Sequence, residues 1–73
     1  MTDLDSSMLF KVMQALKTGE YGAFMEHIGE AYLVADWKNQ EKLLNEFGDS
    51  FESVYKQIRK NERLLGIMTY YAD

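Results

Sequence analysis

Apolar residues recur at intervals of three and four along almost the whole chain, and no proline interrupts them. That spacing lines side chains along one face of an α-helix. The sustained alternation that would mark a strand occurs nowhere. Without proline, nothing forces a helix to kink or stop, so glycine and capping residues supply the punctuation. The pattern predicts an all-α fold over residues 1–73, in a single small domain. It predicts a bundle of four short helices, with a fifth short helix or an extended arm at 66–73. Residues 1–5 are expected to be a flexible start.

The boundaries follow from local chemistry. Asp5 and Ser6 are N-cap candidates for a first helix over about 6–18, with Leu9, Val12, Met13 and Leu16 on one face and Gly19 as its left-handed stop. A second helix is predicted from Glu20 to Ala35, on a stripe of Tyr21, Phe24, Met25, Ile28, Ala31, Tyr32 and Ala35. Gly22 and Gly29 weaken it, and Gly29 leaves room for a neighbouring helix. A third begins near Asp36, whose carboxylate can cap it, and ends at Gly48. Asp49-Ser50-Phe51-Glu52 then reads as a capping box opening a fourth helix, on the stripe Phe51, Val54, Tyr55 and Ile58. Gly66 would set off the tail.

The size of the chain limits how stable it can be. Seventy-three residues bury only about 60% of the surface they expose when unfolded. Such domains often lean on disulfides, metals or self-association. There is no cysteine, so disulfides and thiolate metal sites are excluded; this fits a reducing cytoplasm. A lone histidine, His27, has Glu30 at i+3, but a metal site needs three or four ligands, so no metal or other cofactor is expected. No apolar run approaches the roughly 20 residues of a membrane span, and Met1–Ser7 lacks the basic and apolar regions of a secretory leader.

The charge is −4 overall, with twelve acids against eight bases. A phosphate-binding module is normally basic, so nucleic acid is a disfavoured partner. Residues 51–73 nevertheless hold three acids against four bases: Lys56, Arg59, Lys60 and Arg63. The Lys56–Arg63 face is the place where phosphate would meet this chain, in the alternative reading of a nucleic-acid-linked regulator. Its plainer role is a solvated helix surface.

No catalytic constellation is visible. The serines sit where caps and surface positions account for them, and neither a G-x-S-x-G nor a phosphate-binding glycine motif occurs. The chain is therefore expected to be no enzyme. What stands out is five tyrosines, four phenylalanines, one tryptophan and five methionines, types enriched at protein interfaces. The candidate interaction surface comprises Trp37, Met68, Tyr70 and Tyr71. Trp37 falls at the start of the third helix. There it either covers the open end of the core or stands exposed as an anchor for a partner. The tail could instead pack on the first helix or join two copies in a homodimer.

The residues Gly19, Glu20, Tyr21, Phe24, Ala35, Asp36, Asn39, Leu43, Phe47 and Tyr55 form a pattern across roughly half of the chain. With it the chain resembles small uncharacterised helical proteins of tailed phages and prophages. The resemblance implies a phage or mobile-element setting, and it carries no catalytic or binding residue with it. Small acidic helical proteins in that setting often bind and inhibit a host protein. The expected function is thus a cytoplasmic protein–protein interaction protein, phage-encoded and acting as an inhibitor of a host or defence protein.

Overall fold

The computed structural model describes residues 3–71, with side chains over 3–64. Among these residues the chain is entirely helical. It forms α1 (Ser6–Leu16), α2 (Ala23–Val34) and α3 (Trp37–Tyr71). Three helices stand where four or five were predicted.

The predicted face of α1 is the heart of the core. Asp5 caps the helix, its carboxylate accepting the Met8 N–H at 2.9 Å, and Leu9, Val12, Met13 and Leu16 are all buried. Phe51 and Val54 of α3 complete the buried set. Of the start expected to be flexible, 1–5, residues 1–2 lie outside the described residues; in the rest, Leu4 packs on this cluster, and the Asp3 N–H donates to Glu52 Oε1 at 3.1 Å. Further along, Lys11 Nζ lies 3.5 Å from a Glu62 oxygen. The two contacts show that α1 runs beside the 52–62 stretch of α3 in the same direction.

The turn between α1 and α2 depends on two glycines with positive φ, Gly19 at 83° and Gly22 at 95°. Gly22 is the N-cap of α2, so that helix starts at Ala23 and not at Glu20. Tyr21 therefore lies in the turn, still packed on the core. Gly29 has the predicted role. It is buried in α2, and a Cβ there would come within 2.9 Å of Leu16 Cβ. Gly29 thus sets the approach of α2 to α1. Met25, Ile28 and Tyr32 add partly buried surface to the same side.

The predicted break at Gly48 does not occur, and α3 runs unbroken for 35 residues. Leu44, Phe47, Phe51, Val54 and Ile58 all pack in the core or against it. Their spacing is 3, 4, 3, 4, an uninterrupted helical stripe. A helix-interior glycine costs about 1 kcal/mol, less than one of these large side chains gains on burial, about 1.5–3 kcal/mol. Gly48 is itself buried, at a helical position. Asp49 is an exposed residue inside the helix rather than a cap. Glu52 reaches back to Asp3 rather than closing a capping box. Gly66 does not interrupt the backbone helix either, so the tail up to Tyr71 extends α3.

Two ring pairs join α2 to α3 edge to face, Phe24–Phe47 and Tyr32–Phe51, and a tilted pair within α3, Phe47–Phe51, links them. Phe24 and Phe47 lie 5.8 Å apart, Phe47 and Phe51 6.4 Å, and Tyr32 and Phe51 6.1 Å. From Arg59 to Leu64 every described side chain is exposed, so α3 outruns the core it supports.

Candidate functional site

The corner between α2 and α3 is tight. α2 ends at Val34, Ala35 turns extended with ψ 149°, and Asp36 caps α3 by accepting the Asn39 N–H at 2.9 Å. The Gln40 side chain ties the corner down by donating to the Tyr32 carbonyl at 3.0 Å. Trp37 is the first residue of α3, the position expected for it. It does not cover the core. Its side chain is 69% exposed, so the core-cover reading is corrected. At this corner the α2 residues that pack inward, Ile28 and Tyr32, leave the indole outside.

Two apolar neighbours escaped sequence reasoning. Val34 is 87% exposed, and Leu33 is also an exposed apolar residue. Both lie off the three-and-four stripe of α2, the signal that marks them as outward-facing. Only two residues separate Val34 from Trp37, and those two are pinned in a capped turn. Val34 and Trp37 thus stand exposed on either side of the turn, with Leu33 next to Val34 in sequence. Lys38 Nζ sits 5.8 Å from the Trp37 ring centroid, close enough for a cation–π contact that steadies the ring.

Trp37 and the other predicted interaction residues do not form one patch. Met68, Tyr70 and Tyr71 belong to the last turns of α3, about 47 Å or more from Trp37 along the helix at 1.5 Å per residue. Their side chains lie outside the described residues.

The basic face is present as predicted. Lys56, Arg59, Lys60 and Arg63 line an open groove with Tyr55, with a volume of about 460 Å³. Two acids close to it are already engaged, Glu62 by Lys11 and Glu52 by the Asp3 N–H. Elsewhere, His27 Nδ1 lies 3.8 Å from Glu30 Oε2 on the exposed side of α2. Among the described residues, no group of three or more His, Asp or Glu side chains converges as a metal site would require, and no helix is long and apolar enough to cross a membrane. Burial raises the Tyr32 hydroxyl above its usual pKa.

Compared with protein-family profiles, curated proteins and solved structures, the chain matches none.

Proposed function

We propose that this chain is a small non-enzymatic docking protein that binds a protein partner through the α2–α3 corner. One observation carries the reading: a tryptophan 69% exposed at a rigid, capped corner, beside a valine 87% exposed. Leaving these side chains in water forgoes about 1.5–3 kcal/mol for a side chain of valine size, a large sum for a domain whose described residues include six buried core side chains. Tryptophan is among the residue types that dominate binding energy at interfaces, where truncating an anchor typically costs 2 kcal/mol or more. The fitting partner surface is an apolar cleft that accepts one indole. Because hydrogen bonds hold the corner, little ordering entropy is lost on docking.

The setting proposed is the cytoplasm of a phage-infected or prophage-bearing host, with a host or defence protein as the inhibited partner. It rests on the residue pattern from Gly19 to Tyr55 alone. The test is a pull-down from host lysate with the native chain, Trp37→Ala and Gln14→Ala. A protein retained by the native chain and by Gln14→Ala, but lost with Trp37→Ala, supports the reading. Recovery of nucleic acid without a protein partner defeats it.

A further inference from the structure

The α2–α3 corner leaves one strongly charged feature of the molecule without a role. Lys56, Arg59, Lys60 and Arg63 fall at i, i+3, i+4 and i+7, and hence on one side of α3. They span about 10 Å of helix. All four are exposed, and among the described residues none makes an ion pair. Four like charges at this spacing repel one another and cost helix stability. Of the two acids nearest them on α3, Glu62 pairs with Lys11 and Glu52 accepts the Asp3 N–H.

We propose that this groove binds a compact polyanion, namely a di- or triphosphate group, free or as part of a nucleotide. Arg59 and Arg63 are one turn apart, with Cβ atoms about 5–6 Å from each other, and each offers a planar fork suited to two oxygens of one phosphate. Lys56 and Lys60 flank them as point charges. The volume of about 460 Å³ is in the range of small-ligand sites, and the Tyr55 ring gives it an apolar edge. The strip also limits the length of its ligand. Toward the N-terminus, α3 carries Glu46, Asp49 and Glu52, so a long strand would leave the cations and run onto acids. An extended acidic peptide brings one charge per about 3.3 Å at most, about three over the strip, whereas a di- or triphosphate concentrates its charges on adjoining groups. This assignment is independent of the Trp37 surface.

The test is a titration of the full ¹⁵N-labelled chain with sodium tripolyphosphate, followed by backbone amide shifts. Saturable shifts confined to residues 55–63 are expected. Arg59→Gln/Arg63→Gln, both exposed positions, should keep the helical spectrum and melting point and weaken binding by about tenfold or more. Lys17→Gln/Lys42→Gln should leave it within about twofold. ATP should shift the same amides, and tighter binding than tripolyphosphate identifies a nucleotide as the source. The proposal is overturned if no saturable shift appears, if shifts scatter over Lys11, Lys17, Lys38 and Lys42, or if the double arginine variant binds unchanged. It is equally overturned if a thymidine oligomer or an oligoglutamate binds as tightly as tripolyphosphate at equal charge.

Discussion

The carboxylate of Glu52 accepts the main-chain N–H of Asp3 at 3.1 Å, across 49 positions of sequence. The bond fastens the start of the chain to the middle of α3 and brings Leu4 onto the core. It also takes Glu52 away from the local role that its spacing from Asp49 suggests.

If Asp49 opened a separate helix, removing its side chain would cost about 1 kcal/mol, or about 4–8 °C in a domain of this size. In a continuous α3 the residue is an exposed interior position, where alanine is the better helix former. Asp49→Ala should therefore melt at the native temperature or slightly above. Asp36→Ala, which removes an observed cap, should lower the melting point by the 4–8 °C that Asp49→Ala does not.

Gly29 allows the closest approach in the core. An alanine Cβ there would sit 2.9 Å from Leu16 Cβ and 3.5 Å from the Met13 carbonyl oxygen, so α2 must shift outward. Overpacking of this kind costs about 1–3 kcal/mol, against a propensity gain of about 1 kcal/mol. A Gly29→Ala melting point several degrees below native is expected, measured by circular dichroism.

Much of this was legible in the sequence. The buried face of α1 follows from one cap and one stripe, and the close approach at Gly29 from a glycine set in an apolar run. The joint at Gly48 was misread because glycine and a following acid are local stop signals. The competing signal, Leu44 to Ile58 at 3, 4, 3, 4, spans the joint and takes effect only when α1 is there to bury it. The start of α2 was missed because a glycine lies on each side of Tyr21 with one residue between, and only the positive φ at Gly22 shows that the turn extends that far. The exposure of Trp37 depends on how α2 is seated, which no local pattern encodes. The basic strip was visible in its spacing. That no described acid pairs with it depends in part on Lys11 reaching Glu62 from another helix.

Tyr32 links stability to alkaline pH. Burial raises its pKa above the ordinary tyrosine value of about 10, so the folded state holds the proton more tightly than the unfolded chain. The contribution is fully present below pH 10, the unfolded value, and is lost as pH rises through the raised folded value. The melting-point difference between the native chain and Tyr32→Phe should stay constant up to about pH 9 and change above about pH 10, with the phenylalanine variant gaining relative stability.

Trp37→Ala should leave stability within about 0.5 kcal/mol, as for a surface position, whereas Phe51→Ala should cost about 3–5 kcal/mol and come close to abolishing the fold. Native tryptophan emission should be solvent-like and readily quenched by acrylamide. Blue-shifted, protected emission would contradict an exposed indole.

The proposed docking role is tested most directly at position 37 itself, by placing a photo-crosslinking amino acid there in host cells, with Gln14 as the exposed control site. A discrete protein adduct is predicted from position 37, absent from position 14 and abolished by Val34→Asp. No adduct from position 37, or one that persists with Val34→Asp or forms equally from position 14, would contradict it.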